Sequence, residues 1–233
     1  MSDEPAPRPI PPDYDRDPAR FRKARSVLSR HALAPDIHER VASRFVGERL
    51  LPVLDVGCGE GELARHLPDG GWLGVDNSAE MLARAPEPKH QAEATALPFP
   101  DASFASVALL YVLYHLPHPE RALAEAHRVL RPGGLVAVAA PSRYDSPELT
   151  HALPSTPLTF DSERAPELLA DLFTAIQIEP WDAPLLELPT KAALRDYLIG
   201  KGVEQAAADA GAAGLEVPLL VTKRGALTFA RKG

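Results

Sequence analysis

The chain has 233 residues, 45% of them apolar, and a formal charge of −7. This length provides one α/β domain with a sizeable core, and the sequence has no apolar run near the roughly 20 residues that cross a bilayer. The acidic balance argues against a surface that neutralises a phosphate backbone, so a small-molecule partner is favoured over nucleic acid. The only cysteine, Cys58, suits a reducing compartment, and the acidic, proline-rich start is unlike a secretory signal. We therefore expect a cytoplasmic protein, either a monomer or a homodimer.

The first predicted elements are two helices that follow a proline-rich lead. Residues 1–12 contain five prolines and little to bury, which predicts a flexible segment. The helical spacing of apolar residues predicts helices over 17–33 and 35–46, so that N-terminal helices occupy the region 13–46.

Strands and helices then alternate up to residue 140. Strands are expected at 51–56, 71–76, 89–93, 106–110 and 134–140, and helices at 62–67, 78–85 and 119–130. Ser78 is the expected N-cap of the second of these helices. This regular alternation predicts a parallel sheet.

The alternation stops after Pro141. A helix is expected at 163–172, a strand near 175–180 and a last strand near 226–230. Roughly 45 residues separate these two strands, which is too long for a turn. They include predicted helices at 190–199, capped by Thr190, and at 203–213. We expect residues 181–217 to form a cap over an acceptor site. The main domain would span 47–233, with a ligand-binding core at 51–140.

Three signals fall at the ends of predicted parallel strands, where such sheets bind ligands. The glycine turn 57–61 lets a ligand approach the backbone, and the N-terminus of the next helix favours an anionic or polar group there. Asp76 lies 21 residues after Asp55, where nucleotide-binding folds place a carboxylate that accepts both ribose hydroxyls. Glu93 and Ala94 offer a carboxylate and a backbone N–H to an adenine edge. Together the three signals predict adenosine recognition.

These motifs resemble the ubiquinone-biosynthesis-like family of class I S-adenosylmethionine-dependent methyltransferases. The resemblance covers residues 45–140 and rests on the runs 53–61, 92–104, 114–119 and 130–134, together with Asp76. It implies a Rossmann-like, doubly wound, seven-stranded and mostly parallel sheet with an antiparallel last strand, N-terminal helices and a C-terminal helical cap. It also implies S-adenosylmethionine as cofactor, S-adenosylhomocysteine as product, and methyl transfer to a small-molecule acceptor.

The resemblance implies a role for individual residues. Asp55 and the backbone of Gly57, Cys58 and Gly59 would hold the methionine end, and Asp76 would hold the ribose. The full set of cofactor residues is Tyr14, Arg25, Asp55, Gly57, Cys58, Gly59, Gly61, Asp76, Asn77, Met81, Glu93, Ala94, Leu109, Leu110 and Tyr111. Asn77 or Met81 would pack on adenine, and the backbone of Leu109 and Leu110 with the side chain of Tyr111 would line the methyl side. The chain departs from the family at Glu93, where Asp is usual, and at Ala105, where an acid or polar residue is usual.

A general base is needed only if the acceptor is a phenol, an alcohol or a carbon acid. By topology the nearest titratable residues are His115, Tyr111 and Tyr114, although a structural role for His115 is about as well supported. The spacing of His115, His118 and His127 lacks a Cys or Asp partner in register, so no metal is expected. Arg143 and Tyr144 follow the fifth strand, either on the acceptor side or as ordinary loop surface.

Other functions stay open at the level of sequence. A nicotinamide-dependent oxidoreductase is disfavoured because Glu62 stands where the dinucleotide motif needs a small residue. A non-catalytic module that binds S-adenosylmethionine is a stronger alternative, since this fold needs no obligatory catalytic side chain. An RNA or protein acceptor is a minor alternative, because no basic patch interleaved with aromatic residues is visible.

Overall fold

A seven-stranded mixed sheet forms the centre of the protein. The structure, a computed structural model, describes residues 16–153 and 157–233. The strands are β1 (Val53–Val56), β2 (Trp72–Asp76), β3 (Lys89–Gln91), β4 (Phe104–Leu110), β5 (Leu130–Pro141), β6 (Thr174–Leu188) and β7 (Leu219–Arg231). Their order is β3-β2-β1-β4-β5-β7-β6, in which β1 to β5 pair in parallel and β7 pairs antiparallel with both β5 and β6. The predicted fold class, with an antiparallel last strand, is confirmed.

Helices cover both faces of the sheet. They are α1 (Pro18–His31), α2 (Ile37–Gly47), α3 (Ala79–Leu82), α4 (Pro119–Val129), α5 (Ala165–Ala170), α6 (Lys191–Gly200) and α7 (Gln205–Gly214), with short 3-10 helices at Leu63–His66, Leu113–His115 and Pro147–Leu149. The predicted caps are confirmed: Ser78 Oγ accepts from Met81 N at 3.1 Å, and Thr190 Oγ1 accepts from Ala193 N at 3.1 Å. None of the helices described in these two ranges is long and apolar enough to cross a membrane.

Two apolar layers enclose the sheet. Leu123 of α4 and Leu169 of α5 pack on one face, and Val41 and Phe45 of α2 pack on the other. All four residues of β1 are buried, because a central parallel strand is covered on both faces. This is why β1 reads in the sequence as a short run that is apolar except for Asp55.

Several predicted boundaries were wrong. The helix predicted at 62–67 is a single 3-10 turn over Leu63–His66, since the short segment between Gly61 and Pro68 leaves no room for a longer helix. The helix predicted at 78–85 ends at Leu82, shortly before Pro86. The third strand, predicted to reach residue 93, ends at Gln91.

The predicted cap was also misplaced at its start, because residues 181–188 belong to β6. The segment outside the two strands is 189–218. The strand predicted near 175–180 is the first part of β6, which continues through Pro184 because β6 is an edge strand, where a missing N–H needs no partner.

The cap lies over the carboxyl edge of the parallel strands. Pro141 at the end of β5 pairs with Gly225, so the earlier part of β7 and the later part of β6 extend past that edge. There they join α6, α7 and α1 around a third apolar cluster centred on the fully buried Tyr197. Leu33, just after α1, donates its N–H to the carbonyl of Leu185 at 2.8 Å. The predicted lead 1–12 and Tyr14 lie outside the described residues.

Candidate cofactor and acceptor site

The chain reverses its direction of travel across the sheet between β1 and β4. From β1 it moves outward to β2 and β3, and then returns to place β4 on the other side of β1. In open α/β sheets such a point leaves a crevice at the carboxyl ends of the strands. Gly57 follows β1 here and touches Val112, which follows β4: a Cβ on Gly57 would lie 2.3 Å from Val112 Cγ2.

The glycine turn 57–61 uses its N–H groups internally. Gly57 N and Cys58 N both donate to the carbonyl of Val75, at 2.7 and 3.0 Å. Gly59 N donates to Asp76 Oδ2 at 2.8 Å, and Gly61 N donates to Cys58 O at 2.9 Å. These N–H groups are therefore occupied within the protein, because the turn folds back onto β2. The anionic or polar group expected at the N-terminus of the next helix stays a prediction, and only one 3-10 turn, Leu63–His66, follows the glycine turn.

A pair of substitutions in this turn separates steric overlap from backbone strain. Gly57 and Gly59 have positive φ values of 73° and 55°, so alanine at either position costs about 1–2 kcal/mol. At Gly59 nothing lies within 4 Å of an added Cβ, whereas at Gly57 it would overlap Val112. We expect Gly57→Ala to lower the free energy of unfolding by a further ~1–3 kcal/mol relative to Gly59→Ala, measured in urea. Equal losses for the two variants would contradict the close contact with Val112.

Asp76 is held rigidly at the end of β2. Its Oδ1 accepts from Ser78 N at 2.9 Å, its Oδ2 accepts from Gly59 N, and its exposed fraction is 9%. Each carboxylate oxygen carries two lone pairs, so acceptor capacity remains for ligand hydroxyls. One side chain thus joins the glycine turn to the predicted ribose position.

Asp55 lies beneath the turn and is buried. Trp72 Nε1 donates to its Oδ2 at 3.0 Å. Burial raises the pKa of Asp55 to about 7, the indole hydrogen bond opposes this rise, and the charge of Asp76 adds to it. Because Asp55 faces the core, its contact with any cofactor stays a prediction.

The other predicted residues near adenine differ in their exposure. Asn77 and Glu93 are exposed, whereas Met81 and Ala94 are buried. Of Asn77 and Met81, only Asn77 presents its side chain at the surface. Cys58 is also buried, and burial raises the pKa of its thiol far above the usual range, so it is unsuited to act as a nucleophile.

Tyr111 follows β4, with Leu109 and Leu110 buried before it. Its φ is 58°, and its N–H donates to Ala139 O at 2.9 Å. Burial, with the charges of Asp145 and Asp36, raises the pKa of the Tyr111 phenol. The phenol therefore stays protonated at neutral pH and suits a hydrogen-bond donor better than a base.

Tyr114 and His115 share the 3-10 helix after β4, where their rings lie 4.4 Å apart. The three histidines considered for a metal occupy different surroundings, since His118 is exposed beside Glu120 and the ring of His127 packs 5.2 Å from Phe173. Within residues 16–153 and 157–233, no group of His, Cys, Asp and Glu is arranged to hold a metal ion.

Helix α1 connects the glycine turn to the cap. Arg25 Nη1 donates to Glu60 Oε2 at 2.8 Å, and Arg25 also pairs with Glu62. Lys23 on the same helix lies 3.5 Å from Asp196 of α6. Arg25 thus contacts Glu60 in the turn and Glu62 just after it. Its contact with the cofactor stays a prediction.

Sequence reasoning missed a buried network at the junction of the cap and the sheet. Lys223 Nζ on β7 donates to Ser146 Oγ at 2.9 Å, to Tyr197 Oη at 3.1 Å and to Asp145 Oδ2. Asp145 Oδ1 accepts from Arg224 N at 2.8 Å. Burial lowers the pKa of Lys223, but Tyr197 and Asp145 outweigh this and raise it overall. The ammonium is therefore charged and fixes the loop after β5 against the cap.

A histidine–carboxylate pair at the start of α2 was also missed. Asp36 Oδ1 lies 2.9 Å from His38 Nδ1, and Asp36 Oδ2 lies 3.1 Å from His66 Nε2. A signal was present in the sequence, because Asp is a preferred N-cap residue and His38 follows it by two positions.

Two open grooves lie along the outer strands, and neither is lined by the glycine turn, Asp76 or Tyr111. One, of about 420 Å³, is lined by Asp36 and Phe229, and the other, of about 360 Å³, is lined by the exposed Tyr144 and by Trp181. Arg143 pairs with Asp161 near the second groove. We place the site at the crevice between β1 and β4 instead, because the turn, Asp76 and Tyr111 meet there.

Parts of this chain are similar to known methyltransferases. The sequence profile of a family described as "Methyltransferase domain" matches residues 54–138. Trans-aconitate 2-methyltransferase of Rhodopseudomonas palustris is 34% identical over 163 residues, which are 65% of this chain and 53% of the relative. The 27-O-demethylrifamycin SV methyltransferase of Amycolatopsis mediterranei is 31% identical over 155 residues, which are 60% of this chain and 53% of the relative.

Structural comparison reaches farther along the chain. The crystal structure of the cyclase SpnF aligns with 97% of this chain and 99% of its own, with a TM-score of 0.64 and 20% identity, which shows a shared fold. The matches to curated relatives span about half of their length or less. Residues 54–138 therefore match the family described as "Methyltransferase domain", and the curated relatives that this chain resembles are named as methyltransferases.

Proposed function

We propose that this protein transfers a methyl group from S-adenosylmethionine to a small-molecule acceptor in the cytoplasm. The observation that carries the proposal is the meeting of the glycine turn and Asp76 at the crevice between β1 and β4. Both lie inside residues 54–138, the segment that matches the family profile. The residues present fit the cofactor, because nothing lies within 4 Å of a Cβ added at Gly59, so a ligand can approach the backbone of the turn, and Asp76 offers oxygens for ribose hydroxyls.

The cofactor residues divide along the carboxyl edge of the sheet. The backbone of Gly57, Cys58 and Gly59 would face the amino-acid end, and Asp76 the ribose. Glu93 and the N–H of Ala94 would read the adenine, with Asn77 beside it. The end of β4 would face the methyl group.

When bound, S-adenosylmethionine supplies a methyl group that its sulfonium already activates. The chain's largest task is then to align the acceptor with that methyl group and to exclude water. Helix α1 and the cap are placed for this, because they lie over the carboxyl edge and are joined by Lys23 and Asp196. The protonated phenol of Tyr111 can orient an acceptor by donating a hydrogen bond.

A non-catalytic module with the same cofactor site is the second candidate. Its only support is that SpnF shares this fold and is named for an activity other than methyl transfer. The fold by itself therefore does not specify methyl transfer.

Two measurements test the proposal. Isothermal titration should detect binding of S-adenosylhomocysteine to the wild type. Radiolabelled S-adenosylmethionine should pass its methyl group to at least one member of a panel of phenols, alcohols, carboxylic acids and amines. Binding without transfer to any panel member would favour the non-catalytic module, and failure to bind would overturn both candidates.

A further inference from the structure

The N-terminus of α2 holds an imidazole in a defined orientation. Asp36 caps the helix by accepting from His38 N at 2.9 Å, and the same oxygen lies 2.9 Å from His38 Nδ1. An ionised carboxylate can only accept, so the ring proton is on Nδ1 and the lone pair is on Nε2. A carboxylate that orients one nitrogen and leaves the other able to take a proton is the arrangement found in enzymic general bases.

This pair lies at the carboxyl edge of the sheet. Helix α2 leads into β1 and packs along the sheet beside it, so its first residues are next to the end of β1. A direct contact supports this position: Asp36 Oδ2 lies 3.1 Å from Nε2 of His66, in the 3-10 helix that follows the glycine turn.

We propose that His38, oriented by Asp36, is the general base that takes the proton of the methyl acceptor. The inference rests on the proposed function and excludes an amine or a carboxylate as the acceptor, since neither needs a base. Of the acceptors that need one, we assign a hydroxyl compound, either a phenol or an alcohol. As the acceptor oxygen bonds to the methyl carbon, the carbon–sulfur bond breaks and its electron pair stays on sulfur. The hydroxyl proton moves to His38 Nε2 and from there to solvent, which the half-buried side chain still contacts.

The charges around His38 keep it in the form that a base needs. Burial lowers its pKa, and contact with Asp36 opposes this. His66 from the first 3-10 helix and Arg25 from α1 lower it further, so that the net direction is downward. His38 is therefore neutral at neutral pH, whereas Tyr111, protonated there, is a poor base.

The test uses the hydroxyl acceptor that the wild type methylates best on the panel. His38→Asn should lower kcat by about 10²-fold or more and remove the rise of kcat with pH across the titration of the imidazole. Affinity for S-adenosylhomocysteine should stay within about twofold of wild type, and added imidazole should restore part of the rate to His38→Ala.

His118→Asn is the matched control. His118 also lies at the start of a helix, with its ring 3.1 Å from the carboxylate of Glu120, but it is exposed. The kcat of the His118→Asn variant should stay near that of wild type.

Four results would overturn the inference. An unchanged kcat in His38→Asn would exclude His38 as the general base. A large loss of S-adenosylhomocysteine affinity in this variant would show that His38 binds the cofactor. Transfer by the wild type to amines or carboxylic acids alone would exclude a hydroxyl acceptor while leaving the proposed function intact. Absence of any transfer would overturn the proposed function and this inference together.

Discussion

Asp76→Ala should weaken the binding of S-adenosylhomocysteine by about 10²-fold or more. The carboxylate of Asp76 receives N–H groups from Gly59 and Ser78, and hydrogen bonds to a charged group contribute about 1.5–3 kcal/mol each. Alanine leaves both donors without this partner, so the turn loses its link to the end of β2. The acceptor of the ribose hydroxyls is lost at the same time.

The measurement is isothermal titration with S-adenosylhomocysteine, with urea unfolding to show that the variant is folded. Asp171→Ala is the control, because Asp171 is exposed at the end of α5 and far along the chain from the turn. It should bind like wild type. Unchanged affinity in Asp76→Ala would contradict the placement of the cofactor at this crevice.

Lys223→Met should lower the free energy of unfolding by about 3–5 kcal/mol. Removing one partner of a buried ion pair leaves the other charge uncompensated. The side chains of Lys223 and Asp145 are only 18% and 13% exposed, and the ammonium also donates to Ser146 and to Tyr197. The loss of stability should therefore arise at the junction between the cap and the loop after β5.

Chemical denaturation of two further variants checks this cause. In Lys223→Met/Asp145→Asn the uncompensated charge is gone, and part of the lost stability should return. Lys191→Met, which removes an exposed ammonium that donates to the carbonyl of Ala213, should cost no more than about 1 kcal/mol. Equal losses for the two single lysine variants would show that burial of the charge is not the cause.

The fold class was predictable because its signals are local. A buried parallel strand, a glycine turn and an acidic residue at the end of the next strand follow one another within a short segment. Each depends on the local backbone geometry. Gly57 illustrates this, since its positive φ and its contact with Val112 both exclude a side chain. Ser78 and Thr190 were readable as caps for the same reason, because each bonds to an N–H three residues away.

The directions of the hydrogen bonds in the site were not predictable. The glycine pattern indicated a backbone that a ligand can approach, but not that Val75 and Asp76 of β2 accept the N–H groups of residues 57–59. Only the pairing of β1 with β2 brings these acceptors to the turn. The full length of β6 was not predictable for a similar reason. The strand tolerates Pro180 and Pro184 because it lies at the edge of the sheet.

By itself, the sequence determined the sheet, the methyl-donor family and the positions of Gly57 and Asp76, because these depend on backbone geometry over a few residues. Only the tertiary structure decided which charges meet. Lys223 pairs with Asp145, 78 residues away, and Arg25 pairs with Glu60, 35 residues away. The state of His38 depends on burial and on charges from α1 and the first 3-10 helix as well as on Asp36. Such contacts leave no periodic pattern, because their partners become neighbours only when the cap and α1 pack over the carboxyl edge.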